Sequence, residues 1–313
     1  MSSKTSVVEV VAAFDCGSNS TRLLIADADG RALVRSMHIT RLSQGVDASG
    51  SLLVDAMERT FVVLREYRAA CDHEGVTRGR LVATSAVRDA TNGEEFLRIA
   101  RDIVGVPASV LAGEEEAALS YAGATKDLAT SDNPTMIVDI GGGSTELAVE
   151  LDGTLVSYSM QLGCVRITER ALGRGVVDEA HDLAARAMID EELKRAFAAR
   201  PEFERVVGHV RLVGLAGTVA TLAQMDAGLR EYDRDVVHHR VLSLETVDQW
   251  RDLLASETPA ERLGHTGMVV GREDVLAAGL YVLDAVMRRF GVEALLSSEN
   301  DILDGITESL LIL

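Results

Sequence analysis

Two aspartates introduce the same set of side chains twice. Asp15 opens Asp15-Cys16-Gly17-Ser18-Asn19-Ser20-Thr21-Arg22, and Asp139 opens Asp139-Ile140-Gly141-Gly142-Gly143-Ser144-Thr145-Glu146. The Asp, the first Gly, the Ser and the Thr fall at matching places. Glycine lets main-chain amides approach an anion closely, and successive amides in such a loop form a nest for phosphate oxygens. Ser18, Asn19, Ser20 and Thr21 add donors in the first loop; Gly142, Gly143, Ser144 and Thr145 do so in the second. A carboxylate beside phosphate is repulsive unless it holds a divalent cation. Asp15 and Asp139 are therefore candidate ligands for Mg²⁺ or Mn²⁺. The competing reading has both capping their loops by accepting amide hydrogen bonds.

Other groups could serve the same anion. Arg88 follows Thr84-Ser85-Ala86, where a guanidinium can grip phosphate with two hydrogen bonds or simply pair with Asp89. Gly217 and Thr218 follow an apolar run and precede a helix. Their amides suit phosphate, although a plain helix start capped by Thr218 reads equally well. Arg22, Arg41 and Arg166 are further cations for a basic lining. Glu116 sits with Glu114 and Glu115 in the first turn of a helix, where acidic residues complement the helix dipole without any further role. Glu146 follows the second loop on a strand. His238-His239 is the sole histidine cluster, and neighbours on a strand point to opposite faces, so no metal spacing is expected. Cys16, Cys71 and Cys164 lie far apart without a CxxC pair and read as reduced thiols.

These residues need elements to position them. Each Gly-rich loop follows one apolar run, enters another, and is followed by an Asp-Gly turn (Asp29-Gly30, Asp152-Gly153) into a third. That is a strand, a loop, a strand, a hairpin turn and a strand. The first such unit spans residues 8–39. Apolar spacing then predicts helices over 54–70, from 93 onward and over 114–123, with strands at 81–83 and 108–111. The second half predicts three strands across 136–160, helices at 165–172 and 179–199, and a strand at 212–215. A helix from 219 follows, then one carrying Leu276, Leu280, Leu283, Met287 and Phe290, a strand at 295–296 and a closing helix at 301–313. The polar stretch 127–134 marks the expected boundary. The outcome is an α/β protein of two domains, 1–126 and 127–300, with the duplicated loops facing each other across a cleft.

At 313 residues, 47% hydrophobic and with a net charge of −18, the chain is expected to be globular and a poor general binder of nucleic acid. It lacks an apolar run long enough for a membrane span and a signal-type N-terminus, so a cytoplasmic location is expected. Dimerisation is compatible with the sequence, which shows no interface.

Taken in order, several segments together resemble the exopolyphosphatase and guanosine pentaphosphate phosphohydrolase family. They are Phe14 to Ser20, Ala83-Thr84-Ser85-Ala86-Val87-Arg88-Asp89-Ala90, Gly113-Glu114-Glu115-Glu116-Ala117 and Val138 to Glu146. The likeness extends through Gly163-Cys164-Val165-Arg166, Ala216-Gly217-Thr218 and Asp304-Gly305-Ile306. It implies two actin-like (ribonuclease-H-like) domains facing a cleft, the fold of sugar kinases and chaperone-type ATPases, with the closing helix returning to the first domain. It also implies Mg²⁺-dependent release of terminal phosphate from inorganic polyphosphate, with Glu116 as base on the attacking water and Glu146 assisting. Many relatives carry further C-terminal helical domains. The sequence stops at Leu313, from which a preference for short chains is expected. Three alternatives stay open: hydrolysis of guanosine pentaphosphate, an ATP-dependent kinase of the same fold, and a non-catalytic sensor of phosphate ligands.

Overall fold

The computed structural model describes residues 9–312. The expected strand start at Val8 and the helix end at Leu313 lie outside the described residues. The chain divides into two compact units, Met1–Leu111 with Leu303–Leu313, and Ala112–Ile302.

The first unit contains β1 (Val10–Cys16), β2 (Ser20–Asp27), β3 (Ala32–Ile39), β4 (Arg78–Ala83) and β5 (Ala108–Val110). They form one sheet in the order β3-β2-β1-β4-β5. β1 pairs antiparallel with β2 and parallel with β4. Every residue of β1 is buried, as a central strand covered on both faces requires. Its helices are α1 (Val46–Ser49), α2 (Val54–Glu74), α3 (Ser85–Arg88) and α4 (Gly93–Val104). α2 buries Met57, Phe61 and Leu64 and stops at Gly75, whose φ of 67° suits glycine. Phe61 stacks on Phe96 of α4 with ring centroids 5.3 Å apart.

The second unit opens with α5 (Gly113–Thr125), then β6 (Thr135–Ile140), β7 (Thr145–Leu151) and β8 (Thr154–Met160). α6 (Cys164–Ile167) continues as a π-helical turn through Leu172, followed by α7 (Glu179–Ala199), β9 (Arg211–Leu215) and α8 (Ala216–Asp226). Next come α9 (Arg234–Val237), β10 (Val241–Ser243), α10 (Leu244–Ala255), α11 (Pro259–Arg262), α12 (Leu276–Phe290) and β11 (Ala294–Ser297). α13 (Ile302–Leu311) packs with the first unit from Leu303 onward. The sheet order is β10-β11-β9-β6-β7-β8. Read outward from β6, it repeats the first unit: an antiparallel meander on one side and parallel strands on the other, with β10 added at the edge. Each unit is thus an α/β, ribonuclease-H-like module of the actin type. α12 lies at the heart of the larger core, with Leu280, Leu283, Met287 and Phe290 all buried.

Two expectations differ from the structure. The boundary was expected after residue 126, but the compact units divide at Leu111 and Ala112. α5 turns Glu116, Ala117, Ser120, Gly123 and Ala124 inward, and Ala117 and Ala124 join the core formed by Ile137, Ala148 and Val213. Polar residues 127–134 are a surface connection within the second unit. The two Asp-Gly turns also differ. Asp152 and Gly153 form a two-residue turn with φ of 53° and 74°. Asp29-Gly30 lies in a longer turn, in which the Asp27 carboxylate accepts the amides of Asp29 (3.0 Å) and Arg31 (2.9 Å). Among the described residues no helix is long and apolar enough to cross a membrane.

Candidate active site

The duplicated loops have the same backbone. The Gly17 amide donates to the Ser20 carbonyl at 3.0 Å, and the Gly141 amide to the Ser144 carbonyl at 3.0 Å. Both loops spend their carbonyls on the protein. Asn19 accepts from Thr40 and Arg41 (3.0 and 2.9 Å), and Ser18 from Ser43 (2.9 Å). Gly141 accepts from Cys164 (3.0 Å), and Gly142 from Val165 and Arg166 (2.9 and 3.1 Å). The Arg166 Nε donates to the Gly143 carbonyl at 2.8 Å. Gly163 permits this close approach, because a Cβ there would stand 2.4 Å from the Gly142 carbonyl carbon. Among the described residues, the amides of Ser18, Asn19, Gly142 and Gly143 donate to no main-chain carbonyl. An amide nest is the consequence in each loop.

In the second unit, carboxylates gather beside the nest. Asp139 of β6 pairs in register with Glu146 of β7, which pairs with Ser159 of β8. Paired residues share a sheet face, so the three form a row. α5 lies over it. At one end a Cβ on Gly113 would meet the Ser159 Cβ at 2.4 Å; at the other the Ser120 hydroxyl donates to Asp139 Oδ2 at 2.8 Å. Glu116 stands on that helix stripe between them, one turn before Ser120. Ser159 donates its hydroxyl to Glu146 Oε1 at 2.7 Å. Exposure is 8% for Glu116, 7% for Asp139 and 1% for Glu146, so three acidic side chains share a largely dry space. Helix-dipole compensation does not account for Glu116, because it points inward, whereas Glu114 pairs with Arg200 at the surface (2.5 Å).

The first unit is arranged differently. The residue opposite Asp15 is Arg22, whose Nε and Nη2 donate to Asp15 Oδ2 at 2.8 and 2.6 Å. Asp15 was expected to hold a cation; in the structure its Oδ2 accepts from the Arg22 guanidinium. Ser18 and Ser85 share a hydroxyl hydrogen bond of 2.9 Å, which ties the loop to the start of α3. Arg88, at the end of that helix, donates to the Leu111 carbonyl (2.9 Å). Thr21 and Thr145 point away from the nests. The Thr21 hydroxyl bonds that of Thr40 (2.9 Å), and the Thr145 hydroxyl donates to the Leu162 carbonyl (2.5 Å). Strand alternation puts them on the face opposite Asp15 and Asp139, so they brace the loops.

β6 and β9 are parallel neighbours, with Asp139 beside Leu215. The nest and the N-terminus of α8 therefore emerge side by side from the carboxyl ends of adjacent strands, the usual place for a ligand in such sheets. Thr218 is buried with its side chain against Gly279, which leaves the helix amides as the polar feature at Gly217. Arg272, a residue not foreseen from sequence, lies over Gly217: a Cβ on that glycine would fall 1.2 Å from Arg272 Nη1. The same guanidinium acts on Cys164 beside the nest. Burial raises that thiol to about 11, against the pull of Arg272. Arg272 thus lies near both the nest and the helix start. Ser120 and Ser159 were missed as well. Helix spacing from Glu116 would have found the first, and strand pairing from Glu146 the second.

His238 and His239 do not diverge as expected, because they lie outside any strand. Their rings stack 3.8 Å apart, and with Asp127 they bring ligand-type atoms within 4.8 Å of one another. The Glu299 amide donates to His238 Nδ1 at 3.0 Å. A ring nitrogen that accepts carries no proton, so the proton sits on Nε2, aimed at Asp127 Oδ2 at 2.9 Å.

The chain is similar to named relatives and to solved structures. The model of the Ppx/GppA phosphatase family matches residues 24–312. Exopolyphosphatase 2 of Mycobacterium tuberculosis is 37% identical over 96% of this chain and 98% of its own. The crystal structure of an exopolyphosphatase-like protein superposes with a TM-score of 0.89 at 34% identity, covering 97% of this chain and 99% of that one. The Aquifex aeolicus member of the Ppx/GppA family gives a TM-score of 0.78 at 29% identity, covering 97% and 98%. A family model that matches nearly the whole chain and a relative 37% identical over 96% of it show that this chain belongs to the Ppx/GppA phosphatase family.

Proposed function

We propose that the protein is a phosphoanhydride hydrolase that releases terminal orthophosphate from inorganic polyphosphate, with guanosine pentaphosphate as a second substrate carrying the same bond. The observation that carries this reading is the convergence of Glu116, Glu146 and Asp139 on one buried sheet face beside an amide nest. A water oxygen attacks the terminal phosphorus, the bridging P–O bond breaks, and the shortened chain leaves with those electrons. Glu116 accepts the water proton as the new bond forms, a contribution of roughly 10²–10⁴-fold. Glu146, oriented by the Ser159 hydroxyl, holds the water and keeps it hydrogen-bonded.

Most of the remaining task is charge neutralisation and positioning. The amides of Gly142 and Gly143, with Ser144, receive phosphate oxygens. The α8 amides at Gly217 and the Arg272 guanidinium take others. The first unit offers a second nest at Gly17–Ser20, with Arg88 as its cation. Asp139, with Glu146 next to it, fits the oxygen-rich ligand set of a hard cation, whereas Asp15 is neutralised by Arg22 and does not. Asp139 would hold a divalent cation such as Mg²⁺, which when bound supplies positive charge to the phosphate oxygens.

The test is phosphate release from purified protein given polyphosphate and Mg²⁺, wild type against Glu116→Gln. The substitution is isosteric, so folding should persist while kcat falls about 10²–10⁴-fold. Turnover close to wild type in the folded variant would overturn the assignment of the base.

A further inference from the structure

The segment that carries Arg272 has little regular structure, yet it is pinned from beneath. Arg262, at the end of α11, is 1% exposed and ranks among the largest fully buried side chains of the protein. Among the described residues, no carboxylate lies within salt-bridge distance of it. Its guanidinium instead donates to four main-chain carbonyls: Nε to Leu254 (2.7 Å), Nη1 to Arg174 (3.2 Å) and Glu273 (3.0 Å), and Nη2 to Gly175 (2.9 Å). These belong to the end of α10, the loop before α7, and the residue next to Arg272. Burial holds its pKa below the ordinary arginine value, and the protein accepts that cost in order to place a cation there.

We propose that Arg262 is a positioning residue, which sets Arg272 over Gly217 by fixing the carbonyl of the adjoining Glu273. Around that anchor the chain turns tightly. The Arg272 amide donates to Val269 (3.0 Å), and its carbonyl accepts the amides of Val275 and Leu276 (3.0 and 2.8 Å), which starts α12. With its carbonyl tied into α12 and the next carbonyl held by Arg262, the Arg272 main chain has a fixed heading. Its guanidinium reaches the α8 N-terminus from that heading. A planar fork with five donors suits this task, because it can hold three segments at once; an ammonium cannot. The proposal rests on the reading of Arg272 as a phosphate-contacting group and deepens it.

A double-mutant cycle separates the two. Arg272→Met should raise KM for polyphosphate at least about tenfold, the loss expected for a charged hydrogen bond to an anion. Arg262→Met should also raise KM at least about threefold, with kcat kept within about twofold, since Glu116 is untouched. In the Arg272→Met background, Arg262→Met should raise KM no further, because its effect passes through Arg272. If Arg272→Met leaves KM unchanged, the phosphate reading of Arg272 fails. If Arg272→Met raises KM but Arg262→Met does not, or if the Arg262→Met effect persists undiminished in the double variant, the positioning role fails by itself. Should Arg262→Met not fold, Arg262→Lys is scored in the same cycle. If neither folds, Arg262 acts on the whole domain and the proposal is overturned.

Discussion

The two Gly-rich loops share a backbone and differ at one cross-strand partner. Both close with a Gly-to-Ser hydrogen bond of 3.0 Å, and among the described residues both leave amides that donate to no main-chain carbonyl. Opposite Asp15 stands Arg22; opposite Asp139 stands Glu146. The first copy cancels its own negative charge, and what remains is a nest suited to holding phosphate. The second copy adds a carboxylate to a carboxylate and brings Glu116 over the pair. Like charges in a dry space cost stability and yield groups suited to taking a proton or holding a cation. The cradle occurs twice, and in the function proposed above one side chain per copy, Arg22 or Glu146, separates holding from cleaving.

The comparison breaks most visibly at Glu146. Glu146→Gln should lower kcat about 10²-fold, since the water loses an oriented acceptor while Glu116 remains. The same change removes one of three crowded acidic groups, so the resistance to urea should stay level or rise, as often happens when an active-site strain is relieved. Parallel steady-state kinetics and urea unfolding test both halves. A marked loss of stability with full activity would make Glu146 a structural residue and erase the distinction between the copies.

Arg22 should respond in the opposite sense. Asp15 is 2% exposed, and Arg22→Met withdraws the guanidinium bound to it. Breaking a fully buried pair costs about 3–5 kcal/mol; with Arg22 still 18% exposed, about 2–3 kcal/mol is expected. The urea midpoint should fall accordingly and kcat should change less than for Glu146→Gln. If stability is unaffected and kcat drops as far as for Glu146→Gln, the first copy is as catalytic as the second.

Much of this contrast was legible in the chain itself. Asp-Gly turns and apolar alternation locate the strands, and the shared Gly/Ser/Thr pattern locates both nests. Alternation also contained the inward turn of Thr21 and Thr145, which lie an odd step from Arg22 and Glu146; treating every hydroxyl in the loop as a donor overlooked it. The domain boundary misled because a polar stretch looks the same whether it links domains or crosses a surface. Asp15 was read by its neighbours in sequence, whereas its charge is set by Arg22 across the strand pair. Arg272 and Arg262 carry no periodic signal. Arg272 meets Gly217, and Arg262 meets carbonyls at Arg174 and Gly175, only through contacts between segments far apart in the chain. Side chains that act through main-chain carbonyls leave no mark in the types of the residues they hold.

The smallest expected effect tests the sameness of the copies instead of their difference. A Cβ at Gly17 would lie 3.0 Å from the Ser20 carbonyl oxygen, and one at Gly141 would lie 3.1 Å from that of Ser144. Neither glycine is among those with positive φ, so alanine brings crowding without backbone strain. The neighbour must yield by a few tenths of an ångström, and that neighbour is the carbonyl that closes the turn. Gly17→Ala and Gly141→Ala should therefore each cost about 1 kcal/mol, the low end for overpacking, and should match each other within about 0.5 kcal/mol. Thermal unfolding of the two variants measures this. Costs that differ by about 2 kcal/mol or more would mean that the loops share a sequence pattern but not a mechanical role, and the division of labour would then have to be sought in the backbone as well as in Arg22 and Glu146.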